Sequence, residues 1–231
     1  MKKHGKIYVE ALNAVDKSKF YTVEEAAKLV KSISKRKFDE TIEISINLNV
    51  DITKSDEQVR NSFVLPKGTG KTKKILVITK NATEEAKTAG ADFVGGDDMI
   101  EKISKENWFD FDIIIATPDM MASLGKIGKI LGPKGLMPNP KTGTVTTNVK
   151  ATIENIKKGM IEYKADTYGI VHSIIGKVSF KAADIAENMT AFITDVIKNK
   201  PSGVKGTFIK SITVSSTMGP GIKIDKNTFD I

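Results

Sequence analysis

Several residue types that carry particular chemistry are scarce or missing in this chain of 231 residues. Cysteine is absent, which excludes disulfide bonds, thiolate metal sites and a cysteine nucleophile. The two histidines, His4 and His172, have no carboxylate at ligand spacing, so the sequence predicts no metal, no cofactor and no catalytic residue. No apolar run approaches the roughly 20 residues of a membrane span, and the basic start lacks a signal-peptide core. We therefore expect a cytoplasmic protein.

Arginine is also scarce, although the chain is basic. Only Arg36 and Arg60 are arginines among 36 Lys+Arg, which stand against 28 Asp+Glu and give a net charge of +8. This charge predicts a polyanionic partner, with nucleic acid first and an anionic membrane surface second. Because lysine is a point charge, the composition favours contacts with phosphate over bidentate reading of bases.

Acidic residues are missing between Asp119 and Glu154. Inside this stretch, residues 125–141 hold four glycines, three prolines and four lysines. A helical pattern over residues 118–130 precedes the loop, and Gly132-Pro133 ends it. Lysines on a Gly/Pro frame place positive charge beside exposed backbone N–H groups, which suits the phosphates of an extended partner. The alternative interpretation is a solvated loop whose lysines have no common role.

The two ends of the chain have patterns typical of strands with one solvent-facing side. Apolar and polar residues alternate over residues 38–50, and a second strand is predicted at 59–65. A capping box at Thr22-Val23-Glu24-Glu25 begins a helix that we predict to continue to about Arg36. Beyond residue 159 we predict strands at 160–165, at 170–180 and around 208–214, and a helix at 182–198.

The middle of the chain has a different pattern. The runs 75–78 and 113–116 are continuously apolar, as expected of strands that are covered on both faces. Helical patterns alternate with them at 82–89, 97–106 and 149–158, and a short strand is predicted at 92–94. Strands that alternate with helices indicate a parallel sheet of Rossmann-like topology.

The sequence therefore predicts an α/β protein with two domains. Residues 1–67 plus 160–231 would form one discontinuous, sandwich-like α+β domain, and residues 68–159 would form an inserted Rossmann-like parallel α/β domain. Gly68 and Gly159 at the two crossings would form a hinge. A single large α/β domain is the alternative.

One motif suggests an enzyme. Residues 68–72, GTGKT, are similar to the end of a nucleotide-binding phosphate loop, and a nucleotide-binding enzyme that uses this loop is the alternative function. That loop needs a glycine where Leu65 stands and a helix directly after it, whereas the pattern from Lys73 onward predicts a strand. A membrane-surface protein is a further alternative, but the basic residues are not gathered on one amphipathic helix.

The chain resembles the family of bacterial large-subunit ribosomal protein number one, the protein of the mobile stalk beside the tRNA exit site. Six strings carry the resemblance: KHGKIY at 3–8, KFDETIEI at 37–44, GADFVGG at 90–96, GKILGPKGLMPNPKTGTV at 128–145, HSIIGKVSF at 172–180 and STMGPG at 216–221. The resemblance implies direct binding to 23S-type rRNA, a role in the release of exit-site tRNA, and translational repression through the messenger of the chain's own operon. It also implies a monomer when free, located in the cytoplasmic ribosome.

The resemblance also implies which residues bind rRNA. These are Lys37, Phe38, Thr41, His172, Lys177, Ser211, Thr217, Met218 and Gly219. A secondary RNA contact would involve Lys126, Lys129, Lys134 and Lys141, although many relatives have arginine at position 134.

The local pattern at several of these positions can be interpreted physically. We expect Thr41 on the solvent-facing side of its strand and Met218 exposed, whereas Phe38 is in phase with buried isoleucines and has core packing as an alternative. Thr217 would offer a hydroxyl, and Gly219 a closely approaching backbone that needs a positive φ; both would suit the 2′-hydroxyls and sugars of a shallow RNA groove.

Overall fold

The computed structural model describes residues 5–54, 56–80 and 83–229. Within these residues the chain forms α-helices and β-strands. The helices are α1 (Lys6–Asn13), α2 (Val23–Ile33), α3 (Thr83–Thr88), α4 (Asp97–Glu106), α5 (Met121–Lys126), α6 (Gly128–Leu131), α7 (Val149–Lys157) and α8 (Ala182–Lys198). The strands are β1 (Thr41–Leu48), β2 (Arg60–Val64), β3 (Ile75–Ile78), β4 (Phe93–Gly95), β5 (Ile113–Ala116), β6 (Met160–Lys164), β7 (Ile170–Lys177), β8 (Ile209–Ser216) and β9 (Ile222–Ile224).

The fold is mixed α/β, as predicted, and the chain divides into two compact units. The described parts of Met1–Gly70 and Ile161–Ile231 form the end unit, and Lys71–Met160 forms the middle unit. The end unit contains antiparallel strand pairs, and the middle unit contains parallel pairs.

A four-stranded antiparallel sheet in the order β7-β1-β8-β9 forms the centre of the end unit. Helices α2 and α8 pack against it, so that Ile44 and Ile46 of β1 share a core with Val30 and Phe192. The intervening residues of β1 face away from this core, and the alternation predicted from the sequence is confirmed. Strands β2 and β6 form a separate two-stranded sheet.

A three-stranded parallel sheet in the order β4-β3-β5 forms the centre of the middle unit. All four residues of Ile75–Ile78 are buried, because β3 lies between the other two strands and is covered by packed side chains. The continuous apolar run therefore predicted its environment correctly.

Several elements differ from the sequence prediction. Strand β1 begins at Thr41 because residues 37 and 38 form a bend, and Phe38 is 54% exposed, so its alternative as a core residue is wrong. Helix α2 ends at Ile33, since Ser34 is extended and its hydroxyl donates to the Val30 carbonyl. The 118–130 segment is divided into a 3₁₀ turn, α5 and α6. Strand β9 was not predicted, because three residues carry too little periodicity.

The 68–72 loop does not have the surroundings of a phosphate loop. Residues 71–74 lead directly into β3 rather than into a helix. Gly68 and Gly70 are both left-handed, with φ of 68° and 71°. Buried Asn188 fixes the start of the loop, because its amide accepts from the N–H of Lys67 (3.0 Å) and donates to the Gly68 carbonyl (3.1 Å). The 68–72 loop therefore differs from a phosphate loop both in the element that follows it and in the side chain that holds its start.

Gly70 provides a first prediction. A Cβ at this position would lie 2.9 Å from the Phe180 ring in addition to requiring a positive φ. We expect Gly70→Ala to lower the free energy of unfolding by about 1–3 kcal/mol more than Gly206→Ala does, because an overpacked contact costs this much. Gly206 is the matched control, with φ of 76° and open space around the added Cβ. Chemical denaturation measures both, and equal losses would show that backbone strain alone is responsible.

Candidate nucleic-acid interface

The face of the four-stranded sheet that lies opposite the helices is polar. Ser45 of β1 pairs with His172 of β7 on one side and with Thr213 of β8 on the other, and Asn47 pairs with Ser211. These residues are exposed or half-buried, whereas Ile46, Val171 and Ile212 next to them in sequence are buried in the core. We call this surface the polar face, with Thr41, Glu43, Ser45, Asn47, His172, Ile174, Lys177, Ser211, Thr213 and Ser215 as its members.

Two bulges keep the polar side chains in phase across the strands. Gly176 pairs with Ile42 while Ile174 pairs with Glu43, so one additional residue of β7 is accommodated there. The shift brings Lys177 opposite Thr41. A second shift lies between Asn47 and Leu48 on the β8 side. Bulges of this kind re-aim side chains at the end of a sheet.

At one end of the polar face, three segments are held together by hydrogen bonds. We call this cluster the strand-end clasp, made of residues 39–41, 177–179 and 216–219. The N–H and the hydroxyl of Thr217 both donate to the Thr41 carbonyl, at 3.0 and 3.2 Å. The N–H of Thr41 donates to the Thr217 hydroxyl oxygen at 3.0 Å.

Lys177 and Asp39 connect the second segment to the first. The Lys177 ammonium donates to the Thr41 hydroxyl (2.9 Å) and to the Asp39 carbonyl (3.1 Å). The Asp39 carboxylate accepts from the N–H and the hydroxyl of Ser179, at 3.0 and 2.9 Å. These bonds restrict the movement of Lys177, so its charge is held beside the loop at 216–219.

Two expectations for this cluster need correction. Thr41 has the outward phase predicted for it, but it is only 9% exposed because Thr217 and Lys177 cover it. The hydroxyl proton of Thr217 is already donated to Thr41, so this side chain does not offer a free donor. Both threonines hold the clasp together, and the sequence pattern could not show that they are partners.

The outer surface of the clasp is nevertheless accessible. Thr217 and Met218 are exposed, with Met218 at 49%, and so are Lys37 and Phe38, which directly precede the first clasp segment in the chain. Lys37 forms no salt bridge with another residue in the described ranges. The site thus combines a free cation with uncharged, apolar surface.

Gly219 is hindered at its Cβ position rather than in its backbone conformation, which differs from the expectation. Its φ is not in the left-handed region. A Cβ at Gly219 would instead lie 2.5 Å from the Ser216 hydroxyl oxygen, which is buried and has no hydrogen-bond partner among the described residues. Close packing inside the turn, rather than backbone strain, therefore disfavours a side chain at position 219.

His172 lies on the polar face and is exposed. Its Nδ1 is 3.0 Å from the Ser45 hydroxyl, and its Nε2 is 3.4 Å from an Asp166 carboxylate oxygen. Hydrogen bonds to the Asp166 carboxylate hold its pKa below its usual range. The N–H of Ile170 has the largest effect, and the N–H of Tyr168 and the His172 ring add smaller ones. Within the described residues no group of three or more His, Asp and Glu side chains suits a metal ion. His172 is therefore a surface residue with local partners.

The 125–141 lysines belong to the middle unit, whereas the clasp residues belong to the end unit. Lys126, Lys129, Lys134 and Lys141 are all exposed. The ammonium of Lys134 lies 4.2 Å from the centre of the Phe109 ring, which is a cation–π contact within the unit. The other three have no salt bridge to any residue that the structure describes. The loop therefore presents positive charge on its surface, and Lys134 also attaches the loop to Phe109 in the same unit.

The fold and the two surfaces define an α/β protein with exposed basic and polar surfaces, and no described helix is long and apolar enough to span a membrane. The model of the ribosomal protein L1p/L10e family matches residues 30–220. The chain belongs to this family of ribosomal proteins.

Relatives from three bacteria are similar over nearly the whole chain, and each is named large ribosomal subunit protein uL1. The protein of Mesoplasma florum is 58% identical over 213 residues, which cover 92% of this chain and 94% of the relative. The protein of Mycoplasma capricolum is 56% identical over 97% of this chain and 100% of the relative. That of Mycoplasma mycoides is 55% identical over 97% and 99%.

Proposed function

We propose that this protein is a structural component of the large ribosomal subunit, without enzymatic activity, that binds large-subunit rRNA through the strand-end clasp and the adjoining polar face. The observation that carries the proposal is the clasp itself, in which the segment with an exposed Met218 and a closely packed glycine is bonded to Thr41, the residue that also binds the Lys177 ammonium. The exposed cation Lys37 precedes the first clasp segment in the chain. Uncharged surface that is held rigidly beside lysines suits the sugars of an RNA groove, with phosphates on either side.

Family membership supports the finer parts of the proposal. In the ribosome the chain would form the mobile stalk and assist the release of tRNA from the exit site. Outside the ribosome it would be a monomer that represses translation by binding the messenger of its own operon. The same clasp would serve rRNA and messenger, so the two RNAs should compete for it. The 125–141 lysines would provide a weaker contact, to rRNA or to the departing tRNA.

The nucleotide-enzyme alternative has less support. It depends on residues 68–72, which lead into a strand and whose first residue, Gly68, is bonded by Asn188. Filter binding with an rRNA fragment, with nucleotides and with anionic vesicles separates the three candidate functions. Retention of the rRNA fragment alone supports the proposal, and saturable binding of a nucleotide would favour the enzyme.

The salt dependence of binding tests the lysine contribution. We expect log affinity for RNA to fall by roughly 0.7 to 0.9 per unit of log salt concentration for each phosphate neutralised, because bound lysines release counterions. Lys129→Ala combined with Lys134→Ala should flatten this slope and weaken specific and non-specific RNA binding together. Titrations at several salt concentrations give the slope, and an affinity that does not change with salt would contradict the proposal.

A further inference from the structure

Glu40 is a buried acidic residue directly behind the exposed part of the clasp. It is 2% exposed and lies between Asp39 and Thr41 in the chain. Its Oε2 accepts the N–H of Met218 at 3.0 Å, and its backbone carbonyl accepts the N–H of Val178 at 3.0 Å. A single residue therefore contacts both of the other clasp segments.

The geometry of the turn explains why Met218 needs this partner. Residues 216–219 form a turn that is closed by the N–H of Gly219 donating to the Ser216 carbonyl at 3.0 Å. In such a turn the two central N–H groups have no partner inside the turn. Thr217 donates its N–H to Thr41, and Met218 donates its N–H to Glu40. Glu40 thus fixes the backbone at the exposed tip.

The second oxygen of Glu40 makes an acid here unfavourable for stability. Oε1 is buried and has no hydrogen-bond partner among the residues that the structure describes. An unpaired buried acceptor costs free energy, and an apolar side chain at this position would avoid that cost but would leave the Met218 N–H without its acceptor. The side-chain hydrogen bond that Glu40 makes among the described residues is therefore directed at the exposed tip of the clasp.

We propose that Glu40 is a positioning residue for RNA recognition, which holds the Met218 N–H so that the exposed tip of the clasp is aligned before RNA arrives. The inference rests on the proposed function, because it concerns the same surface. Ordering the tip in advance reduces the conformational entropy that binding must otherwise remove. Glu40 acts through Met218 and need not touch the RNA.

The experiment compares three single variants of the full chain. Glu40→Leu removes the acceptor, Glu40→Gln keeps an amide oxygen that can accept, and Glu24→Gln is the control for the lost negative charge, since Glu24 is exposed on α2. Affinities are measured for an rRNA fragment and for an unrelated RNA. Hydrogen exchange of the Met218 amide is followed by NMR.

We expect Glu40→Leu to bind the rRNA fragment about 10- to 100-fold more weakly than Glu24→Gln, the size of effect given by one lost recognition contact. Its affinity for the unrelated RNA should match that of Glu24→Gln, and its Met218 amide should exchange rapidly. Glu40→Gln should keep both the specificity and the protected amide.

Other results would overturn the inference. A folded Glu40→Leu variant with unchanged specificity, or a Glu40→Gln variant as weak as Glu40→Leu, would show that the acceptor does not align the tip. If Glu40→Leu does not fold, Glu40→Met takes its place, and failure of both to fold would show that the acceptor serves folding. Lack of specific binding by the unaltered chain and by Glu24→Gln would contradict the proposed function itself.

Discussion

A chain that joins residues 1–70 to 160–231 through a short glycine-serine linker is expected to fold and to bind the rRNA fragment specifically. The end unit contains its own core, its sheet and every clasp residue. Gly70 is kept because it packs against Phe180, and residues 67 and 68 are kept because Asn188 binds them. Circular dichroism and filter binding are the measurements.

The complementary chain, residues 71–160, is expected to lose specific binding. It keeps the basic 125–141 loop, so it should still bind any RNA weakly at low salt. Specific nucleic-acid binding is typically about 10³-fold or more tighter than non-specific binding, which sets the size of the expected loss. If the joined end unit folds but does not bind, and residues 71–160 do, the principal site is in the middle unit and our assignment is reversed.

The second large effect is expected at the uncharged tip of the clasp. Met218→Ala removes exposed apolar surface and leaves the net charge unchanged. We expect it to weaken binding to the rRNA fragment by about 1–3 kcal/mol, the scale of one good contact. Binding to an unrelated RNA should hardly change, because that binding comes from lysines and phosphates. Equal losses on both RNAs would show that the tip is not a recognition surface.

Gly219 allows a sharper version of the same test. Gly219→Ala alone would place a Cβ 2.5 Å from the Ser216 hydroxyl oxygen, but 3.6 Å from the Ser216 Cβ. Ser216→Ala therefore removes the clash inside the protein and serves as the background. In that background, Gly219→Ala should leave stability nearly unchanged and still weaken specific binding by about 1–3 kcal/mol if RNA approaches the backbone closely. Recovery of full affinity in the double variant would show that position 219 acts only through the turn.

Much of the fold could be predicted from the sequence because the patterns are long and local. Eight residues that alternate between apolar and polar mark β1. The helix predicted at 182–198 has the same bounds in the structure, and the apolar runs 75–78 and 113–116 are both strands of the parallel sheet. The capping box at Thr22 and Glu25 is present as predicted. Short elements carry too little periodicity, which is why β9 was missed and the 118–130 segment was predicted as one helix.

Candidate binding residues were a harder problem. The exposed position of Met218 agrees with expectation, whereas Phe38 lies outside the strand whose phase suggested burial. Lys37, for which no exposure was predicted, is also exposed. Asp39 and Glu40 are not among the site residues predicted from the sequence, because acidic residues are unexpected next to RNA. Their position inside the conspicuous KFDETIEI string was the available signal, but their partners lie more than 130 residues away.

The sequence by itself determined the basic charge, the absence of cysteine chemistry, the α/β class and the identity of every described strand except β9, since each follows from composition or from a local period. Only the tertiary structure decided that Thr41 is covered, that Thr217 has no free donor, and that Gly219 is limited by Ser216. These properties arise at the edge of the sheet where β1 begins and β7 and β8 end. Register and hydrogen bonds between segments distant in sequence control them, and no local pattern records such pairings.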